Sequence, residues 1–190
     1  NKFSAALDEA LELSTSNIPD FDGGTIVLVD VSGSMGVPVS NSSTIDRWEV
    51  AAVMAAAMSL HCERVKIVPF GTESALLNVG PSWSALKIVE EIQKVFSKGH
   101  LGYGTNIFDA VSNFYDGEKR VIVFTDMQTM DSYSRGLDKI PFLHFWDLSG
   151  YGKTPMRVGS GGRFQWAGFT DKMFANVNLI ETVGHGTWPF

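Results

Sequence analysis

Residues 25–36 read Thr-Ile-Val-Leu-Val-Asp-Val-Ser-Gly-Ser-Met-Gly. The opening stretch is a run of β-branched and aliphatic residues with no polar alternation. A strand that is apolar on both faces belongs in the middle of a parallel sheet, where helices cover both sides. The predicted strand covers residues 25–31. After Asp30 the chain turns small, polar and glycine-bearing, which places a loop (residues 32–43) at the carboxyl end of that strand. Two hydroxyls, Ser32 and Ser34, follow the Asp30 carboxylate two and four residues on. A hard dication takes oxygen ligands, about six of them near 2.1 Å for Mg²⁺. One carboxylate and two hydroxyls on a tight loop can supply three, and Gly33 and Gly36 let that loop fold back on itself.

Outward from this stretch, strands alternate with helices. Residues 65–70 form a second buried strand, and 75–79, ahead of Pro81, a short third. Residues 120–125 (Arg-Val-Ile-Val-Phe-Thr) form another central strand that ends at Asp126. Strands at 142–146, after Pro141, and at 163–167, after the turn 159–162, follow. The helices are expected at 4–13, from Thr44 or Asp46 through Leu60, at 84–96 with Ser82 or Ser84 as cap, at 106–115, and at 171–182. Residues 131–137 read as a loop or short helix. This alternation predicts βαβ units, hence a three-layer, doubly wound, Rossmann-like α/β fold. Its sheet is mostly parallel, with a short antiparallel edge strand. Residues 1–24 read as a leading amphipathic helix and connector, and 25–190 as the α/β domain.

In a doubly wound order of 3-2-1-4-5-6, strands one and four flank the point where strand order reverses, and ligands bind at their carboxyl ends. Asp30 and Asp126 then sit side by side at one sheet edge. Two carboxylates so placed repel unless a cation or a proton lies between them. Thr105, in Gly102-Tyr103-Gly104-Thr105-Asn106, opens the helix before that fourth strand and lies over the same edge.

Asp-x-Ser-x-Ser at 30–34, Gly104-Thr105 and Thr125-Asp126 occur in that order in the von Willebrand factor A family. The chain resembles this family over residues 25–182. The resemblance implies a metal-ion-dependent adhesion site in which Ser32, Ser34 and Thr105 are direct ligands. Asp30 and Asp126 would ligate directly or through water. The family has Gly after the last Asp, and this chain has Met127, which bears on the turn and leaves the ligands intact. Met35, Gly104 and Met127 are expected at the rim of the site, with Val37, Pro38 and Val39 on the first loop. Within the family the chain looks most like the TROVE/Ro RNA-binding proteins. The residues that carry this are Ala5-Ala6-Leu7-Asp8-Glu9-Ala10-Leu11, Val50-Ala51-Ala52-Val53-Met54-Ala55-Ala56-Ala57, Val68-Pro69-Phe70 and Gly168-Phe169-Thr170-Asp171-Lys172-Met173. That resemblance implies that a ring of helical repeats, absent from this chain, grips the RNA.

Composition limits the alternatives. The chain has 190 residues, 44% hydrophobic and 19% charged, with a net charge of −6. That suffices for one domain with a sizeable core. The acidic balance argues against this domain gripping nucleic acid by itself. The single cysteine, Cys62, excludes an internal disulfide and a thiolate zinc cluster, and reads as a small buried residue late in a helix. A reducing, cytoplasmic compartment follows from it. Residues 1–12 are polar and acidic, unlike a signal peptide, and no apolar run is long enough for a membrane span. The chain begins at Asn1 rather than Met, which fits a segment of a longer protein. His61, His100, His144 and His185 show no paired ligand spacing. Trp83, Trp146, Trp166 and Trp188 read as core rather than base-stacking platforms. No Gly-x-Gly-x-x-Gly, Walker or Gly-x-Ser-x-Gly signature is present. A phosphohydrolase attacking through Asp30 would carry a second acid two residues on, where this chain has Ser32. The expectation is a binding domain, not an enzyme. It would hold Mg²⁺, with Mn²⁺ or Ca²⁺ as alternatives, and the ion would take an acidic side chain of a protein partner or a phosphate oxygen. A docking module unrelated to RNA would use the same chemistry.

Overall fold

A computed structural model describes residues 2–80, 83–132, 135–150, 155, 158, 161–168 and 171–183. The elements are α1 (Lys2–Ser14), β1 (Phe21–Asp30), α2 (Arg47–Leu60), β2 (Cys62–Phe70), α3 (Ala85–Lys98), α4 (Ile107–Phe114), β3 (Arg120–Thr125), β4 (Phe142–Asp147), β5 (Arg163–Ala167) and α5 (Asp171–Val183). Short 3₁₀ turns lie at Gly33–Met35 and Arg135–Lys139. The five strands form one sheet in the order β2-β1-β3-β4-β5, with every pair parallel. The order reverses between β1 and β3, as expected from the sequence.

The all-apolar strands are explained by what they bury. Along β1, Val27 and Val29 join one core with Ile122 and Phe124, while Ile26 and Leu28 join the other with Val121 and Val123. Helices α2, α3 and α5 cover the first face through Ala51, Ala55, Met58, Ile88, Ile92, Phe174 and Val177. Helix α4 covers the second through Ile107, Phe108 and Val111. Helix α2 is buried nearly all round, which is why it is built from alanine and methionine rather than from one apolar stripe. Its start is set by a capping box, with Asp46 at the cap and the Asp46 N–H donating to Glu49 at 2.8 Å. Asp46, not Thr44, therefore caps it. Helix α3 starts at Ser84, whose Oγ accepts from the Lys87 N–H, and stops at Gly99 with φ +59°.

Several boundaries differ from expectation. Strand β1 begins at Phe21, inside the stretch read as connector, because Phe21 is buried and pairs with Cys62. Helix α1 is not detached, since Asp8 Oδ1 accepts from the Leu86 N–H at 3.0 Å. On that helix Leu11 packs against the core while Leu7 and Ala10 stay exposed. Cys62 lies in β2 rather than in the helix, half-buried, and burial pushes its thiol pKa up. The short third strand does not form as a strand. Within it only Leu77 bridges β2, antiparallel to Ile67, and just ahead of it Ser74 bridges Phe70 in the same way. The Pro69 carbonyl accepts from the Ala75 N–H at 3.1 Å, but Pro69 has no N–H to return on that side, so the ladder is interrupted. Trp146 is fully buried, and Trp83 and Trp166 pack against the core. Ser82, residues 159 and 160 of the predicted turn, Thr170, His185 and Trp188 lie outside the described residues.

At the amino end of the strands lies a closed polar network. Arg120, the first residue of β3, is fully buried. Its Nε and Nη2 donate to the Glu181 carboxylate of α5 at 2.7–3.0 Å, and its Nη1 donates to the Asp22 carbonyl and the Thr25 hydroxyl. His144 Nε2 lies 3.0 Å from Glu181 Oε1, and the Trp166 indole N–H donates to His144 Nδ1 at 3.0 Å. An indole only donates, so Nδ1 is the acceptor and Nε2 carries the proton toward Glu181. This network fastens α5 to β3 and β4.

Candidate metal centre

Asp30 and Asp126 stand at the carboxyl ends of neighbouring strands, both fully buried. The register pairs Val29 with Phe124, which brings Asp30 opposite Thr125. The Thr125 hydroxyl donates to Asp30 Oδ2 at 2.6 Å, and the Ser32 N–H donates to Oδ1 at 2.9 Å. Burial pushes the Asp30 carboxyl up to about 7, against the pull of hydrogen bonds from Ser32 and Thr125, and the charge of Asp126 adds to the rise. Asp126 Oδ1 accepts from the Gln128 N–H at 3.1 Å. Its other oxygen, Oδ2, is buried and has no hydrogen-bond partner. A buried carboxylate oxygen left so is costly unless a cation completes it.

The hydroxyls come from the turn after β1. Ser32 is buried and Ser34 half-buried, with their Oγ atoms 3.2 Å apart. The glycine-rich loop between α3 and α4 closes over them, with the Gly33 N–H donating to the Tyr103 carbonyl at 3.2 Å. Thr105 is buried, and its carbonyl accepts from the Met130 N–H at 2.8 Å. These bonds draw three segments together: the turn after β1, the loop before α4 and the turn after β3. The exit of β2 is the floor beneath them. A Cβ on Gly71 would lie 2.5 Å from the Gly102 carbonyl oxygen, and one on Gly104 would lie 2.9 Å from Thr72 Oγ1. Both glycines are required by close approach rather than by flexibility. The Asp131 carboxylate accepts from the Thr129 hydroxyl and from the Asp109 N–H, which ties the last turn to α4.

The rim differs in part from expectation. Met35 is fully buried in the core beneath the first turn, so it supports the loop instead of lining the rim. Val37 and Pro38 are exposed on that loop and Val39 is half-buried. Gly104 lies between Thr72 and Met130. Met127 adopts φ +66°, the left-handed conformation that glycine holds without strain. A methionine thus holds a backbone conformation that glycine ordinarily supplies, and its side chain is buried in the core on the α4 face.

Three contributors were missed in the sequence. Thr125 orients Asp30, and only strand register reveals this. Arg47, the first residue of α2, brings its Nη1 to 3.5 Å from Asp126 Oδ2. Its helix-start position carries no signal of that contact. Asp147 ends β4 as a third buried acid in the same row, but its Oδ1 accepts from the N–H groups of Ser149 and Gly150 and from the Ser149 hydroxyl, all within 2.9 Å. It is engaged in shaping its turn. With its proton committed to Asp147, the Ser149 Oγ lies 3.1 Å from the Asp126 carbonyl oxygen. Among the described residues no three His, Cys, Asp or Glu side chains cluster, so the two carboxylates here are complemented by hydroxyls. That donor set, with one carboxylate oxygen unsatisfied, suits a hard dication.

No protein-family profile matches the chain, and no curated protein matches it. Solved structures do. The Ro (RSR) protein of Deinococcus radiodurans superposes with a TM-score of 0.67 at 18% identity, over 91% of this chain and 38% of that one. The chain thus spans well under half the length of the Ro protein. An aerotolerance-related membrane protein of Bacteroides fragilis superposes with a TM-score of 0.56 at 11% identity, over 86% of this chain and the whole of that one. No helix among the described residues is long and apolar enough to cross a membrane. Strand order, layers and these likenesses give the chain the fold of a von Willebrand factor A domain, one that resembles the C-terminal region of Ro proteins.

Proposed function

We propose that this chain is a divalent-metal-dependent binding domain. Asp30, Ser32, Ser34, Thr105 and Asp126 hold one Mg²⁺-class ion, and an oxygen from a partner completes its coordination. The observation that carries this reading is the Asp126 carboxylate oxygen that is buried without a hydrogen-bond partner, next to a second fully buried carboxylate. Mn²⁺ and Ca²⁺ prefer the same donor type and could replace Mg²⁺. The bound ion would offset both carboxylate charges and offer an electrophilic position to an Asp or Glu of a protein partner, or to a phosphate oxygen. Asp30 is followed two residues on by Ser32 rather than by the second acid a phosphohydrolase would carry, which supports binding rather than catalysis. The likeness to a Ro protein supports a place within a larger RNA-associated protein, and the single cysteine, Cys62, supports a reducing, cytoplasmic setting. The net charge of −6 supports a domain that itself grips little RNA.

Calorimetric titration tests the metal. The parent should bind Mg²⁺ or Mn²⁺, and Asp126→Ala should lose at least about 100-fold in affinity, more than is typical of removing an outer-shell partner. Equal affinities would sink the reading. A gel shift with structured small RNA should show weak binding by the isolated chain. Tight, sequence-tolerant binding would reverse the assignment of RNA contact to other parts of the protein.

A further inference from the structure

Arg47 follows the helix-capping Asp46, and its guanidinium points back to the metal turn rather than outward. Its side chain is 12% exposed, and Nη1 lies 3.5 Å from Asp126 Oδ2. The same Nη1 donates to the Ser34 backbone carbonyl at 3.4 Å. One cation therefore touches both ligand-bearing segments, the turn after β1 and the end of β3. Its approach to Asp126 is looser than a charge-assisted hydrogen bond, which closes to about 2.7–2.9 Å. Arg120 shows the contrast within the same molecule, since it grips Glu181 through Nη2 at 2.7 Å. A loose ion pair on an otherwise unsatisfied oxygen is one that another cation can replace.

We infer that Arg47 is the resident counter-ion of the metal site. With no ion bound, it offsets Asp126 and holds the two ligand-bearing segments together. When a dication arrives, it must take Asp126 from Arg47 against the repulsion of that positive charge. This inference rests on the metal-binding reading above and concerns how tightly the site binds. It makes Arg47 a positioning residue with a distinctive sign. Removing a merely structural arginine would weaken the fold and the metal site together. Removing a competing counter-ion weakens the ion-free fold but strengthens metal binding, because two buried carboxylates then face the ion with no rival.

The test is Mn²⁺ titration and thermal unfolding of the whole chain, as parent, Arg47→Met, Arg47→Lys, Asp126→Asn and the Arg47→Met/Asp126→Asn double variant. Arg47→Met should bind Mn²⁺ on the order of tenfold more tightly than the parent. It should unfold at a lower temperature without the ion and approach the parent in excess Mn²⁺. In the Asp126→Asn background, Arg47→Met should lower the ion-free unfolding temperature by less than it does in the parent, since its bond to the Ser34 carbonyl is still lost. Unchanged or weaker Mn²⁺ binding by Arg47→Met overturns the inference while leaving the metal site standing. Should Arg47→Met not fold, Arg47→Lys decides: it keeps the charge but not the reach to both segments, so binding weaker than the parent's overturns the inference. Failure of the parent itself to bind Mn²⁺ removes the metal reading and this inference with it.

Discussion

The two ends of the same parallel strands carry buried charge, and they treat it in opposite ways. At the amino end, Arg120, Glu181, His144 and Trp166 form a closed set in which each polar group meets a partner of fitting chemistry. At the carboxyl end, Asp30 and Asp126 lie side by side, one pushed toward holding its proton and the other with an oxygen left over. Charged side chains are buried at both ends, so burial does not distinguish them. Satisfaction does. A network complete within the chain holds the fold together, and an incomplete one is poised for something from outside.

The largest expected effect lies at the closed end. Glu181→Gln leaves buried Arg120 with only the exposed Asp22 carboxylate, 3.4 Å from Nη2, as counter-charge and should cost about 3–5 kcal/mol in urea unfolding. A loss below about 1 kcal/mol would mean that the closed end contributes little and would erase the contrast.

The ends should next separate in their pH dependence. Folded Asp30 keeps its proton to about 7, whereas the unfolded chain releases it near 3.8. Folding therefore takes up a proton in that window, and the ion-free protein should lose stability as pH rises from about 4 to about 7. The loss has an upper bound of about 4 kcal/mol, since each tenfold difference in proton affinity between the folded and unfolded chain is worth roughly 1.4 kcal/mol. The closed end slopes the other way. Ion pairing and hydrogen bonds from His144 and Arg120 outweigh burial and hold Glu181 below its ordinary 4.5, so its contribution is present above that value and fades as pH falls through its folded value. Burial holds His144 below its ordinary 6.5, and its contribution is likewise lost toward acid. Unfolding midpoints from pH 3 to 8 should show the decline above pH 4 as the difference between the parent and Asp30→Asn. Saturating Mg²⁺ should reduce that decline, since the ion favours the ionised carboxylates. An identical pH profile for parent and Asp30→Asn would show that Asp30 does not hold a raised pKa.

The smallest effect is expected at Met127. Met127→Gly relieves a left-handed backbone worth about 1–2 kcal/mol of strain but deletes a buried side chain worth about 1.5–3 kcal/mol, so stability should fall by less than about 2 kcal/mol. Mn²⁺ affinity should stay within about twofold, because Asp126 keeps its place. A tenfold change would show that the methionine tunes the turn as well as filling space.

Most of the fold was legible because its signals are local. The short, β-branched runs at 26–29 and 121–124, apolar on both faces and bounded by turns, read as central parallel strands, and the order of those strands puts Asp30 and Asp126 at one edge. The turn hydroxyls Ser32 and Ser34 were legible for the same reason, being fixed in spacing to Asp30 along the chain. What escaped was non-local. Phe21 pairs because Cys62 is there to receive it, and residues 74–77 fail to make a strand because Pro69, on the neighbouring chain segment, cannot donate.

By itself, then, the amino-acid sequence determined the layered architecture and singled out candidate donors, since hydrophobic period and loop spacing act over a few residues. Only the tertiary structure decided which charges are satisfied. Thr125 reaches Asp30, Arg47 reaches Asp126 and Glu181 reaches Arg120 across separations of 95, 79 and 61 residues. Partners so far apart in the chain are chosen by register and helix packing, and no pattern along the sequence records them.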